Sequence, residues 1–411
     1  MASSDRRVGV TLALCFLAAV MEGIDLQSMG VAGPMLSPEF MLGKAEFGRI
    51  VAISGIGLFI GAVGCGRLAD SFGRKAMLVA SMAIFGVFTV ATALVHNVEA
   101  LTVVRFLTGL GLGGALPNLV ALISEAVGGQ SKISRVVFTF AGMPIGGTIV
   151  SFVARAAAQT GDWRLIFYVG GIAPLVLAAA MVFVLPESTQ FTKAKAAAAA
   201  GVAVRVNSLK ALLGEGRARA SICLWVCCLL MNLMSFLLLN WLPSLNVAKG
   251  FSASDASTLQ IVLNLASCVG SVTAGYMMEK RPGKLVLGSL FVGLALCLLA
   301  LAWSGSNFGL TAVVVGLTGT CLFGGLYIIY GLIPTFYPTL ARGVGAGASF
   351  AAGRVGAIVG PLLAGEILGA GRGAGDVLQA LLPVTAIAGV SAMVLLWRPN
   401  YAAEEAPAPA E

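Results

Sequence analysis

Long apolar blocks recur along the chain, and short polar stretches separate them. Apolar and polar residues do not alternate within the blocks, so the pattern favours helices over the strands of a membrane barrel. A bilayer core of about 30 Å needs roughly 20 apolar residues per helix. The pattern predicts twelve membrane-spanning helices, near residues 9–32, 47–66, 76–95, 101–124, 136–157, 165–185, 220–242, 257–278, 285–303, 309–332, 344–368 and 377–397.

Composition supports the same fold class. Of the 411 residues, 58% are hydrophobic and only 11% are charged, whereas soluble domains carry about a quarter charged residues. The first block is too long for the apolar core of a signal peptide, so we expect it to remain as a span. The sequence therefore predicts an all-α membrane protein with no room for a catalytic domain, and we do not expect an enzyme.

The basic residues are unevenly distributed between the predicted loops. Of the 26 Lys and Arg residues, eighteen lie on the side of the N-terminus and six on the opposite side, while Arg105 and Arg354 lie within spans. Basic loops stay in the cytoplasm, so we expect both termini there. This explains the net charge of +8 without a nucleic-acid partner.

An internal repeat divides the chain into two halves. GRLADSFGRK at 66–75 follows the second span, and GYMMEKRPGK at 275–284 follows the eighth. Both place an acid four residues after a glycine and end in a basic turn, as repeats in transporters do. The predicted divisions are an N-terminal six-helix half at 1–185, a cytoplasmic linker at 186–219, a C-terminal six-helix half at 220–398 and a disordered tail at 399–411.

Two carboxylates lie inside the first predicted span. Glu22 and Asp25 are three residues apart and share one helix face. Charges in the bilayer centre cost about 2.5–3.5 kcal/mol on insertion scales, so they indicate function. Because neighbouring carboxylates in an apolar environment disfavour each other's ionised form, the pair predicts a proton-binding site. A polar patch facing an outer vestibule is the alternative.

Two arginines also lie inside predicted spans. Arg105, in the fourth span, comes close to the depth of Asp25 when the helix rise is counted. We therefore expect the two charges to interact, directly or through water, in proton coupling; a purely structural ion pair is the alternative. Arg354 lies near the middle of the eleventh span, and its planar guanidinium matches a carboxylate. It predicts a substrate-anion site, unless it is an arginine of helix packing.

Several motifs resemble one family. The loop at 66–75 resembles the loop signature of the major facilitator superfamily. Further stretches agree with it: RFLTGLG at 105–111, GMPIGG at 142–147, DWR at 162–164 and PES at 186–188. Within that superfamily, three motifs resemble the aromatic acid:proton symporters, a group that includes bacterial 3-(3-hydroxyphenyl)propionate transporters: MEGIDLQ at 21–27, LPN at 116–118 and GRVGA at 353–357. Related members carry Asp in place of Glu22.

The resemblance implies a proton-coupled symporter of the bacterial inner membrane. It would import an aromatic carboxylate, such as a hydroxyphenylpropionate or hydroxybenzoate, by alternating access. We expect a monomer without a cofactor or metal. A proton-driven efflux antiporter for drugs or aromatic compounds on the same fold is the alternative; a channel or a sensory protein fits the buried charges less well.

Two further sets of residues complete the predicted machinery. Amides and phenols in spans are expected to face the substrate, or else to cap a neighbouring backbone: Asn118, Asn240, Asn264, Tyr327 and Tyr330. Charges near the predicted cytoplasmic face are expected to act as a gate, and they also fit a positive-inside anchor: Asp70, Arg74, Lys75, Glu125 and Arg342.

Overall fold

A computed structural model describes residues 2–126, 139, 141–187, 212–214, 217–337 and 342–397, and this part of the chain contains no strand. It forms twelve long helices: α1 (Ala2–Glu39), α2 (Lys44–Phe72), α3 (Arg74–Thr92), α4 (Val98–Ala126), α5 (Gly142–Thr160), α6 (Arg164–Val184), α7 (Ala218–Ala248), α8 (Ala253–Lys280), α9 (Gly283–Trp303), α10 (Phe308–Leu332), α11 (Arg342–Gly369) and α12 (Ala374–Leu395). A single 3₁₀ turn, Ile333–Phe336, follows α10.

The all-helical fold class is confirmed, since each predicted span overlaps one of these helices; the start of the fifth, at 136–157, falls largely outside the described residues. Eleven of the helices are long and apolar enough to cross a membrane. The exception is α5, in which glycine, alanine and polar residues dilute the apolar ones. Most of the predicted linker at 186–219 and the tail at 399–411 fall outside the described residues.

Glycines with positive φ make two of the connections between helices. Gly73 (φ 95°) separates α2 from α3 within one residue. Gly161 (φ 75°) ends α5 in the left-handed conformation, where its N–H donates to the carbonyl of Ala157. Because L-residues with a side chain avoid this region, glycine is favoured at both points.

The helices form two compact units. Unit 1 contains residues 1–203, 239–265 and 361–371, and so combines α1 to α6 with one end each of α7, α8 and α11. Unit 2 contains residues 204–238, 266–360 and 372–411. The predicted division into two six-helix halves, at 1–185 and 220–398, rests on the repeated loop motif and remains a prediction.

Backbone contacts through glycine hold α2 against α4 in unit 1. A Cβ added at Gly109 would lie 2.0 Å from the carbonyl oxygen of Ser54, and one at Gly61 would lie 2.1 Å from that of Leu110. Gly146 of α5 meets the carbonyl of Val20 of α1 at the same range, 2.0 Å. These helices approach so closely because the residues at the contact have no side chain.

In unit 2, α9 packs against α10 and α12. Two glycines of α11 allow it to approach α7. A Cβ at Gly356 would lie 1.9 Å from the carbonyl oxygen of Leu229, and one at Gly360 would lie 2.3 Å from that of Leu233. Both units therefore use the same packing device.

We expect Gly109→Ala to destabilise the protein. The new methyl group would overlap the Ser54 carbonyl, and overpacking of this kind costs about 1–3 kcal/mol. The thermal unfolding midpoint in detergent should fall. Gly64→Ala on α2 is the control, because nothing lies within 4 Å of its Cβ position; its midpoint should be unchanged or slightly higher. Equal midpoints for the two variants would contradict the close contact.

Candidate functional site

A buried ion pair lies inside unit 1. The guanidinium of Arg105, on α4, is 3.5 Å from a carboxylate oxygen of Asp25, on α1, and both side chains are 2% exposed. The sequence predicts an interaction between these two charges, and the structure places them in direct contact. Their role in proton coupling remains a prediction.

Neutral groups from three helices complete the surroundings of this pair. The hydroxyl of Thr89, on α3, donates a short hydrogen bond to the Asp25 carboxylate. Arg105 donates to the hydroxyl of Thr108 at 2.9 Å, and its guanidinium carbon lies 5.3 Å from the ring centre of Phe167, on α6. The cluster therefore joins α1, α3, α4 and α6 at one point.

Glu22 is also completely buried in unit 1, one turn before Asp25. Between them, Gly23 brings α1 against α5, since a Cβ there would lie 2.1 Å from the carbonyl oxygen of Met143. The two carboxylates are thus enclosed by packed helices. Neither carboxylate is exposed in this conformation.

Three side-chain amides form a second buried cluster in unit 1. Gln27 of α1 and Asn264 of α8 exchange hydrogen bonds of 3.0 and 2.9 Å. Gln260, one turn before Asn264, donates to the same oxygen of Gln27 at 2.9 Å. Of these three residues, only Asn264 is among the predicted substrate contacts. In this conformation its amide is used by protein partners.

The other predicted amides are buried as well. Asn118 donates to the carbonyl of Gly114 on its own helix at 2.8 Å. Asn240 of α7 is 3% exposed, and its backbone packs against Gly30 of α1. The bond from Asn118 to Gly114 is of the kind expected under the alternative, in which an amide in a span caps a neighbouring backbone group.

An aromatic cluster occupies unit 2. We use this name for the rings of Phe323, Tyr327, Tyr330 and Phe350, whose successive centroids are 6.2, 6.2 and 5.0 Å apart. Tyr330 also exchanges two hydrogen bonds with Asn232 of α7, at 2.9 and 3.0 Å. Asn232 is absent from the predicted site, although it is an amide within a span, as the predicted Asn240 of the same helix is.

Arg354 lies beside this cluster on α11. It follows Phe350 by four residues, so the two share a helix face. Its side chain is partly exposed. The structure therefore brings together three predicted substrate residues, Arg354, Tyr327 and Tyr330, within unit 2.

The predicted gate is described only in part. The ammonium group of Lys75 donates to the carbonyl of Val182 at 2.8 Å, and its backbone N–H donates to the carboxylate of Glu187 at 3.0 Å. These bonds join the start of α3 to the segment that ends α6, where Arg74 also lies close in sequence. The side chains of the other three gate residues fall outside the described part of the chain: Asp70, Glu125 and Arg342.

Two further ion pairs in unit 1 lie near the end of α1 and the start of α2, and they were not predicted. Glu39, the last residue of α1, accepts hydrogen bonds of 2.6 Å from Arg164 and from the indole of Trp163. Arg49 of α2 lies 3.5 Å from Glu366 of α11. Both pairs are partly or largely exposed, so they resemble ordinary loop charges in the sequence.

Known proteins resemble this chain over nearly its full length. A 3-(3-hydroxyphenyl)propionate transporter of Escherichia coli strain K12 is 38% identical over 96% of this chain and 96% of its own. A 4-hydroxybenzoate transporter of Pseudomonas putida is 31% identical over 93% and 91%. A solved D-xylose–proton symporter shares the fold, with a TM-score of 0.76 at 17% identity over 96% of this chain and 98% of that one.

The family model for the Major Facilitator Superfamily matches residues 15–361. This match covers most of the twelve helices, including the buried charge pair and the aromatic cluster. With the relatives above, it establishes that the chain is a multi-pass membrane transporter and belongs to the Major Facilitator Superfamily.

Proposed function

We propose that this protein imports an aromatic carboxylate together with protons across the bacterial inner membrane. The two relatives described above are named for transporting hydroxylated aromatic acids. The chain aligns with them almost from end to end, so a shared substrate class is the simplest inference. Both termini are proposed to lie in the cytoplasm, because of the basic loops, and the working unit is proposed to be a monomer.

The buried pair of Asp25 and Arg105 is the observation that carries proton coupling. Removing one member of a buried ion pair leaves an uncompensated charge, which costs about 3–5 kcal/mol. A proton that binds to Asp25 neutralises its carboxylate and likewise leaves the charge of Arg105 uncompensated. The protonated protein would then favour a conformation in which Arg105 is better solvated or paired. Binding a proton thereby shifts the conformational equilibrium, and Glu22 supplies a second carboxylate nearby.

Arg354 is proposed to bind the carboxylate of the substrate. A guanidinium can donate two parallel hydrogen bonds to a carboxylate, and the aromatic cluster lies beside it. Tyr327 and Tyr330 would contact the ring of the acid. Asn118, Asn240 and Asn264 remain proposed contacts; for Asn264, substrate must replace a present hydrogen-bond partner.

The loop motif is proposed to act as a gate. Lys75 connects α3 to the end of α6 through the two hydrogen bonds described above, which supports a locking role on that side. Asp70, Arg74, Glu125 and Arg342 are proposed to take part through their charges. Breaking these contacts would accompany the change between the two orientations of the substrate site.

The direction of transport is tested in intact cells. Cells that express the protein should accumulate radiolabelled 3-(3-hydroxyphenyl)propionate faster than cells with an empty vector. Collapsing the proton gradient with an uncoupler should abolish the difference. If expression lowered accumulation, and the uncoupler restored it, the protein would be an efflux antiporter.

We expect Asp25→Asn to lose proton-driven uptake. The amide keeps the shape of the side chain but cannot take up a proton at the pH values used in transport assays. In proteoliposomes, a pH gradient should no longer accelerate uptake, whereas exchange of labelled for unlabelled substrate should continue. Glu99→Gln, at an exposed position in the first turn of α4, is the matched control and should behave as wild type.

Unchanged stimulation by the pH gradient in Asp25→Asn would reject the proposed coupling. Because the variant leaves Arg105 buried without its counter-charge, its thermal unfolding midpoint must be measured in parallel. Loss of both uptake and exchange in an unfolded sample says nothing about protons. Loss of the gradient effect alone, in a folded sample, supports coupling at this pair.

Arg354→Lys should weaken substrate binding about tenfold. Lysine keeps the positive charge but loses the planar fork that matches a carboxylate. The KM for the aromatic acid should rise more than kcat falls. Arg372→Lys, at an exposed position just before α12, is the control and should leave both constants unchanged. A wild-type KM in Arg354→Lys would remove Arg354 from the substrate site.

A further inference from the structure

The hydroxyl of Tyr330 has a fixed hydrogen-bonding direction. It donates to the side-chain oxygen of Asn232 at 3.0 Å and accepts from the nitrogen of the same amide at 2.9 Å. A phenol has a single proton. Since that proton is used by Asn232, what remains on Tyr330 is a lone pair that can accept a further hydrogen bond.

The orientation of the Asn232 amide is determined by its own helix. Its nitrogen also donates to the carbonyl of Cys228 at 2.7 Å. Were the amide rotated by 180°, its oxygen would face that carbonyl, and two acceptors would repel each other. The amide nitrogen therefore stays on the Cys228 side, and Tyr330 remains the donor to the amide oxygen.

Close packing restrains the amide further. Asn232 is 6% exposed, and Gly353 of α11 lies against it, since a Cβ at that position would be 2.7 Å from the amide nitrogen. Tyr330 itself is only partly buried. The buried residue thus orients the hydroxyl of a neighbour that is partly exposed.

The surroundings of Tyr330 have the character of a site for an aromatic anion. Phe350 packs edge-on against the Tyr330 ring at 5.0 Å and is 38% exposed. Arg354 lies one turn further along α11, on the same helix face as Phe350. Aromatic faces, a cation and a hydrogen-bond acceptor are therefore presented together.

We propose that Asn232 is a specificity-determining residue, which makes Tyr330 an acceptor for a ring hydroxyl of the transported acid. A ring O–H can donate to this lone pair. A ring methoxy group can only accept, so it meets the lone pair of Tyr330 without a proton between them. This inference rests on the proposed transport of aromatic acids and adds to it which ring substituent is selected.

Three acids that differ at one ring position test the inference: 3-(3-hydroxyphenyl)propionate, 3-(3-methoxyphenyl)propionate and 3-phenylpropionate. The full chain is reconstituted in proteoliposomes, and each acid competes for exchange of the labelled hydroxy acid. Wild type should prefer the hydroxy acid. Tyr330→Phe keeps the ring contacts and removes the hydroxyl, so its affinity for the hydroxy acid should fall about three- to tenfold. Affinity for 3-phenylpropionate should not change.

Asn232→Ala tests the positioning role. With the amide absent, Tyr330 is free to donate, so the methoxy acid should gain affinity relative to the hydroxy acid. A purely structural role would change all three affinities by the same factor. Tyr276→Phe, which alters a 57% exposed tyrosine on α8, is the matched control and should leave the order of preference unchanged.

The outcomes separate this inference from the proposed function. If wild type exchanges none of the three acids, the proposed substrate class is wrong, and this inference is overturned with it. If wild type exchanges them but Tyr330→Phe keeps the full preference for the hydroxy acid, this inference alone is overturned. Equal losses for all three acids in Tyr330→Phe also overturn it, since Tyr330 would then act through packing. Equal changes for all three acids in Asn232→Ala overturn the role of Asn232, while Tyr330→Phe tests the acceptor role of Tyr330 independently.

Discussion

The buried ion pair between Asp25 and Arg105 is the interaction on which the arrangement of unit 1 depends. Lipid offers no partner for a polar group, so each charge in a span must be compensated by another part of the chain. Here the compensation comes from α1 and α4, with Thr89 from α3 and Phe167 from α6. A proton that neutralises Asp25 therefore alters a contact shared by four helices, which is why a local event can have consequences for the whole unit.

The glycine contacts hold the helices that carry these charges close to their neighbours. Gly109 lies one turn after Arg105 on α4 and meets the backbone of α2. Gly23 lies between Glu22 and Asp25 and meets the backbone of α5. The charged residues are thus enclosed by helix backbone on either side. Water is kept away from the pair, and its electrostatic interaction is stronger than it would be in solvent.

Part of this site could be predicted from sequence, and the reasons are physical. A charge within a span is rare and costly, so Asp25, Arg105 and Arg354 stand out, and the helix rise places the first two at similar depth. Thr89 could not be found in this way. Most threonine hydroxyls in spans bond their own helix, as Thr108 does with the carbonyl of Val104, so a threonine that reaches a carboxylate gives no separate signal.

Hydrogen bonds between buried amides on different helices are equally hard to predict from sequence. Gln27 and Asn264 are 237 positions apart, and neither carries a charge, so nothing in one sequence indicates that they pair. Asn232 and Tyr330 are a similar case, separated by 98 positions. The helices themselves were predictable because apolar length determines them. The pairing of neutral polar groups between helices depends on how the helices pack, and that information requires the structure.

Within unit 1, one contact between the first six helices and the end of α11 differs in kind from the buried ion pair. Arg49 and Glu366 are more than half exposed, and such a pair contributes about 0–1 kcal/mol. Exposed groups such as these can exchange a protein partner for water at small cost. A transporter that alternates between two orientations must break some helix contacts in every cycle, and inexpensive contacts of this sort are suited to being broken. The costly pair of Asp25 and Arg105 lies among helices of the first half instead, where a proton can change its energy.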